Sequence, residues 1–316
     1  VMKEHTGTFV AYDTLCSVRI YSDADCRPLV EGVQERALQV QSALNMYDPD
    51  SQLSRLCRES RPGQETAVSP LLMDFLTWNQ LFYQETAGAF DPTVGPLVRL
   101  WDFLADEPKI PTDDAIEREL SRVGFGHVRL HPERSAVSFD RAGIVIDPGA
   151  SGKGYALKLA ANYLRENGVT HAVLDFGGNM YAIGPKPLTK DPWRVALRDP
   201  DRPDDYMGTI LLEDCGIATS SWYEHSFVRE GRVYHHLIDP RTGRPKPLTL
   251  KSVSILSSDG AFTDFLSTAV FMLGEAEGTA LVERIREKSG ERIDYVLVRE
   301  DGSVACSNHV YKPREK

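Results

Sequence analysis

Apolar positions near the start of the chain first alternate and then change period. Around Thr8-Phe9-Val10 and Cys16-Ser17-Val18-Arg19-Ile20 the side chains alternate, which predicts two short paired strands. Over 27–44, Leu29, Val30, Val33, Ala37, Leu38, Val40 and Leu44 form the stripe of an amphipathic helix. Ser69-Pro70 supplies an N-cap and a first-turn proline for a helix over 69–87, and Thr112-Asp113-Asp114 caps another over 113–123. Strands are expected near 127–131, 135–139 and 143–147, then a helix from Gly152 to Glu166. Further strands are expected near 171–176, 193–198, 207–213, 233–238 and 250–257. Helices over 260–273 and 275–288 and two closing strands complete the pattern. Strands mostly follow strands across turn residues while helices interrupt singly, so the expected fold is α+β with antiparallel sheets. No repeat or Pro/Gly/Ser linker divides the chain. The expectation is one domain over 1–316, or two interlocked subdomains without a clean linker.

Composition narrows the function classes. Hydrophobic residues make up 41% and charged residues 26%, near globular averages, which argues against disorder or coiled coil. The net charge of −10 argues against a protein that coats nucleic acid or an anionic membrane through its overall field. No stretch approaches the roughly 20 consecutive apolar residues of a membrane span. The cysteines Cys16, Cys26, Cys57, Cys215 and Cys306 include no C-x-x-C pair, which argues against a zinc ribbon or thioredoxin-like site. Val1-Met2-Lys3-Glu4-His5 lacks the apolar run of an export signal. Two readings stand: Met2 as a native start would give a cytoplasmic protein, and removal of an export segment would leave the compartment open.

Several segments carry candidate chemistry. Asp147-Pro148-Gly149-Ala150-Ser151-Gly152-Lys153-Gly154 lacks the spacing of a Walker A loop. A Gly-rich turn opening a helix beside Lys153 can still cradle an anion through backbone N–H groups and the helix dipole; the bland reading is a turn with a solvated Lys. In Leu174-Asp175-Phe176-Gly177-Gly178-Asn179 the paired glycines either admit a ligand or make a hairpin turn. Tyr234-His235-His236-Leu237-Ile238-Asp239-Pro240-Arg241-Thr242-Gly243 runs from an apparent strand into a turn. On a strand His235 and His236 face opposite sides, so one points into a site and the other is structural. Arg241 and Thr242 suit phosphate. Asp264 and Thr268 share one face of an otherwise apolar helix and suit a hard cation such as Mg2+, or else serve the helix itself. Phe90-Asp91-Pro92-Thr93-Val94-Gly95-Pro96-Leu97 with Leu100-Trp101-Asp102-Phe103 reads as an extended, Pro-punctuated loop. Its aromatics, like Met46 and Tyr47 in another polar loop, either stack on a planar ligand or pack beneath the loops.

Taken together these segments, with Tyr47-Asp48-Pro49-Asp50-Ser51 and Ala218-Thr219-Ser220, resemble the FAD:protein FMN transferase (ApbE-like) family from about Thr8 to Gly274. The resemblance implies a T-fold-like core with a smaller α/β part. It implies Mg2+-dependent transfer of FMN from FAD to a Thr or Ser hydroxyl of a target flavoprotein, with release of AMP. It implies metal ligation by the Gly152 carbonyl, Asp264 and Thr268. FAD would be held by Tyr47, Met46, Asp91, Lys153, Asp175, Gly178, Asn179, Ser220, His236, Arg241 and Thr242. Lys153 and His236 would carry catalysis, His236 either as base for the hydroxyl or as a phosphate-positioning group. As a base it would give a rate rising through a pKa near ~6.5. A cell-envelope or periplasmic location would follow from the family if an export segment has been removed. Gly152 stands where Ala is common, Asn45 where Ser is common, and Ser221 replaces the Gly of a usual Thr-Ser-Gly. An FAD pyrophosphatase using water and a non-catalytic flavin carrier are the competing readings.

Overall fold

The computed structural model describes residues 2–315. The chain opens with strands β1 (Lys3–Ala11) and β2 (Thr14–Ser22) and helices α1 (Arg27–Leu44) and α2 (Gln52–Glu59). Strand β3 (Glu65–Ala67) precedes helices α3 (Pro70–Glu85), α4 (Gly95–Trp101) and α5 (Asp113–Leu120). Strands β4 (Val128–His131) and β5 (Ala136–Phe139) lead to α6 (Gly152–Glu166). Then come β6 (Ala172–Phe176), β7 (Asn179–Ile183), β8 (Trp193–Asp199), β9 (Arg202–Leu212) and β10 (Cys215–Ser221). The short strands β11 (Ser226–Arg229), β12 (Arg232–His235), β13 (Ile238–Asp239) and β14 (Arg244–Pro245) precede β15 (Leu250–Ser257). Helices α7 (Ala261–Leu273) and α8 (Glu275–Ser289) are followed by β16 (Ile293–Arg299), β17 (Val304–Cys306) and β18 (Tyr311–Pro313).

The chain forms two compact units, each from separated stretches. The first takes the chain up to Gln41, Ser151–Ser221 and Thr249 onward. At its centre lies a sheet of order β1-β2-β6-β7-β10-β15-β16-β17. Each neighbouring pair is antiparallel, as the α+β expectation requires. The apolar helix α7 lies along β10 and β15, burying Phe265, Leu266, Ala269 and Val270. Ile217, Leu256, Val296 and Val298 pack with Leu197, Ile210 and Leu212 of the second sheet, β18-β9-β8. The glycine pair between β6 and β7 is a hairpin turn: Gly177 and Gly178 have φ of 66° and 92°, and a Cβ on Gly177 would meet Thr14 Cγ2 at 2.4 Å.

The second unit, Ser42–Ala150 and Trp222–Leu248, holds α2 to α5, the sheet β3-β5-β4 and the hairpins β11-β12 and β13-β14. Leu97, Trp101, Ile116 and Ile238 form one of its cores.

Three local expectations are corrected. The stretch 90–103 is not an extended loop but a 3-10 turn, Pro92–Val94, followed by α4. Pro92 and Pro96 both stand in first turns, where a missing N–H leaves no bond unmade. Residues 143–147 form no strand: Gly95 N–H donates to Val145 O at 3.2 Å and Asp147 N–H to Pro92 O at 2.7 Å, but no ladder follows. The strand expected over 233–238 stops at His235, because His236 N–H turns to His225 O and Leu237 N–H to the His235 ring. Strand β10 and helix α2 are elements the periodicity did not reveal.

Candidate active site

In the first unit the chemistry gathers where α6 begins. Gly152 and Gly154 are buried in its first turn, with Lys153 half-buried between them. Asp264, only 8% exposed, projects from the first turn of α7. Its two carboxylate oxygens have different partners: Gly154 N–H donates to Oδ2 and the Asn179 amide donates to Oδ1. Burial pushes the Asp264 carboxyl above its usual range, and the Gly154 N–H, the Lys153 charge and the Asn179 amide oppose that rise. One turn along α7, Ser220 donates to Ser267 Oγ at 3.0 Å and lies 3.5 Å from Thr268 Oγ1. Ser267 in turn donates to the Asp264 carbonyl at 2.9 Å.

At the neighbouring hairpin, Gly178 N–H donates to Asp175 Oδ1 at 2.8 Å. The fully buried thiol of Cys16, on the neighbouring strand β2, feels the charges of both Asp175 and Lys153, and sequence reading missed it. Burial raises its pKa, and the charges of Asp175 and Lys153 act on it in opposite senses. The structure therefore brings Lys153, Asp175, Gly178, Asn179, Ser220, Asp264 and Thr268 into one connected group, with Gly152 at the helix start.

No group of three or more His, Cys, Asp or Glu side chains is arranged to hold a metal among the described residues. A metal here would rest on one carboxylate, hydroxyls and a carbonyl. That all-oxygen set fits a hard cation that keeps few protein ligands, as Mg2+ does, and does not fit zinc.

In the second unit, α4 supports the remaining candidates. Arg99 donates to Met46 O at 3.3 Å, which ties down the loop carrying buried Met46 and exposed Tyr47. The Trp101 indole donates to Gly243 O at 2.8 Å, bracing the turn of Arg241 and Thr242. The same ring stacks on Tyr234 at 5.9 Å, and Tyr234 stacks on Phe227 at 5.2 Å, so α4 also supports the β11-β12 hairpin. Arg99 and Trp101 are supports that the loop reading concealed.

His236 follows β12. Its Nδ1 donates to Glu224 O at 3.0 Å, which leaves Nε2 as the acceptor. Burial, with His225 and His235 nearby, pushes its pKa down to about 4, well below the value of ~6.5 expected for an open imidazole. His235 is buried and bonded at both ring nitrogens: Nε2 donates to Lys246 O at 2.6 Å, and Nδ1 accepts from Leu237 N–H at 3.2 Å. Arg241 forms a two-point ion pair with Asp239 at 3.0 and 3.1 Å. Burial opposes ionisation of Asp239, but Arg241 outweighs it and holds the carboxyl below its usual range. Thr242 Oγ1 accepts from Arg244 N–H at 3.3 Å. Asp91, expected at the ligand, accepts from Thr93 N–H at 2.9 Å, Thr93 Oγ at 2.6 Å and Phe125 N–H at 3.1 Å. Its carboxylate caps the 3-10 turn and fastens the chain at 125.

The ApbE family profile matches residues 12–291. The FAD:protein FMN transferase of Treponema pallidum is 31% identical over 323 residues, 97% of this chain and 87% of that protein. The Vibrio cholerae FAD:protein FMN transferase is 31% identical over 265 residues, 82% and 78% of the two chains. Among solved structures, the ApbE protein of Thermotoga maritima superposes with a TM-score of 0.84 at 29% identity, covering 97% of each chain. The flavin transferase ApbE from Vibrio cholerae gives 0.83 at 26%, covering 98% of each. With a matching profile across most of its length and relatives above 30% identity that cover it nearly end to end, the chain belongs to the ApbE family.

Proposed function

We propose that the protein is an Mg2+-dependent FAD:protein FMN transferase that esterifies a Thr or Ser hydroxyl of a target flavoprotein. The observation that carries the reading is the buried, doubly held Asp264 carboxylate beside Lys153 at the start of α6. Phosphoryl transfer needs positioning and charge stabilisation more than covalent participation by the protein. The hydroxyl oxygen attacks the phosphorus of the FMN half, the P–O bond to AMP breaks, and the hydroxyl proton passes to a base. His236 is the candidate to take it: the bond from Nδ1 to Glu224 O presents the Nε2 lone pair on a ring that is neutral at pH 7, while burial, by lowering its pKa to about 4, makes it a weaker base than an open imidazole.

Lys153 and the α6 N-terminus stabilise pyrophosphate charge. Asp264, Thr268 and the Gly152 carbonyl would hold Mg2+, which supplies charge neutralisation at the phosphate oxygens when bound. Met46 and Tyr47 are assigned to the flavin, and Asp175, Gly178, Ser220, Arg241 and Thr242 to the polar parts of FAD. FAD should bind more tightly than FMN, since the grip is on the pyrophosphate and AMP half, and calorimetry with FAD, FMN and AMP measures this.

The deciding experiment incubates the protein with FAD, Mg2+ and a candidate flavoprotein domain and follows both by mass spectrometry. An acceptor gaining the mass of FMN less water, with one AMP per event, is the expected result. Free FMN and AMP with every offered acceptor unmodified would replace transfer by hydrolysis.

A further inference from the structure

Family resemblance places Asn179 in the FAD pocket, but its amide is spent on Asp264 Oδ1. The opposite oxygen is held by Gly154 N–H. Gly154 also lacks the Cβ that would meet Gly260 O at 2.8 Å and Asp264 Oδ2 at 3.2 Å. Its bare backbone is what allows the first turns of α6 and α7 to approach closely enough for that bond. Asn179 starts β7, pairs with Phe176 across the glycine turn and is 8% exposed, so it is fixed by the sheet rather than by a loop.

We infer that Asn179 and Gly154 are positioning residues that clamp the Asp264 carboxylate from opposite sides and set its affinity for a divalent cation, rather than contacts to FAD. Each clamp bond fixes one oxygen and leaves it a lone pair for a cation. Partners of this kind around a ligating carboxylate commonly govern metal affinity by about 10–100-fold when removed. An amide serves here where a second carboxylate would repel the first, and a backbone N–H serves where any side chain would push the carboxylate away. The inference rests on the metal role proposed for Asp264.

The test compares wild type with Asn179→Ala and, independently, Gly154→Ala. Mn2+ is titrated into the FAD-loaded protein, with the free ion followed by its EPR signal. FAD affinity is measured separately in excess chelator by flavin fluorescence, and unfolding is followed by circular dichroism. Both variants should weaken Mn2+ by about 10-fold or more. Metal-free FAD affinity should stay within about twofold of wild type, and for Asn179→Ala the lost turnover should return at high Mg2+, with a raised half-saturating concentration and a nearly unchanged kcat. Loss of metal-free FAD affinity in a folded Asn179→Ala protein would make Asn179 a ligand contact and overturn the inference. So would unchanged Mn2+ affinity in both variants. If wild type itself binds no Mn2+, the metal reading of Asp264 fails and this inference with it, a result distinct from the other two.

Discussion

The two groups of candidate residues are held by different physics. In the first unit, Asp264, Asn179, Gly154, Ser220 and Ser267 are joined directly by hydrogen bonds, mostly between buried groups on helix starts and sheet strands. In the second, His236, Arg241, Thr242 and Met46 stand on loops and turns, and α4 braces them through one indole, one guanidinium and a stack of aromatic rings. A buried polar network loses much when one member is removed, because the remaining members keep their desolvation cost. A braced loop shifts by degrees. Substitutions in the first group should therefore act as switches, and supporting substitutions in the second as dials.

The largest effect is expected at Asp264. Asp264→Asn keeps the shape and removes the charge, so transfer measured by acceptor mass should fall by at least about 10³-fold with circular dichroism unchanged. Wild type in excess chelator should lose activity to the same extent, and full activity there would remove the metal from the account.

Next comes the histidine pair. His236→Ala should slow FMN transfer by ~10²–10⁴-fold while FAD binding falls far less. His235→Ala should cost stability and leave the rate per folded molecule near wild type, because both ring nitrogens of His235 serve the local backbone. A greater catalytic loss at His235 would reverse the assignment. The pH profile sharpens the contrast. With His236 held down to about 4, the rate should be flat through neutrality and fall only on approach to that value, instead of rising through ~6.5. The unfolded chain binds a proton at this ring below ~6.5 while the folded protein refuses it until about 4. The contribution of this ring to stability is thus whole above ~6.5 and declines on acidification, which urea unfolding at several pH values would register.

Lys153→Ala should reduce turnover or FAD affinity by roughly 10–100-fold, the scale of one charge-assisted phosphate contact. An unchanged rate would return Lys153 to the role of a solvated helix residue. The smallest effect tests the brace. Trp101→Phe keeps a ring for Tyr234 but leaves Gly243 O without its donor, at about 1–3 kcal/mol of stability. Transfer should fall by less than about tenfold, and a loss as deep as that of Asp264→Asn would show that both groups behave as switches.

Helices α6 and α7 were legible because their signals are local: a Gly-rich turn into an apolar stripe, and an acidic residue in the first turn of a buried helix. The α+β class was legible from strands following strands. The clamp on Asp264 was not, since Asn179 lies 85 residues away and no local pattern connects an amide after a glycine turn to a carboxylate on a later helix. Asp91 illustrates a different limit. Asp followed by Pro and Thr is a capping signature as much as a ligand motif; the carboxylate caps the 3-10 turn, and its role toward a ligand stays an expectation. Helix α4 was hidden by Pro92 and Pro96, which break helices in the interior but open them at the first turn.

The strand order of the large sheet also bears on how the protein matures. Strand β2, paired early with β1, finds its second neighbour only at 172–176, and β10, paired with β7, finds its second at 250–257. Most pairing in this sheet is between distant parts of the chain, which makes its closure slow relative to helix formation. During synthesis the stretch from 42 to 150 leaves the ribosome before β6, whereas the sheet still lacks α7 and its last strands. Asp264 is carried by that late helix. A nascent chain thus stays without the carboxylate proposed to hold the metal until helix α7 has emerged.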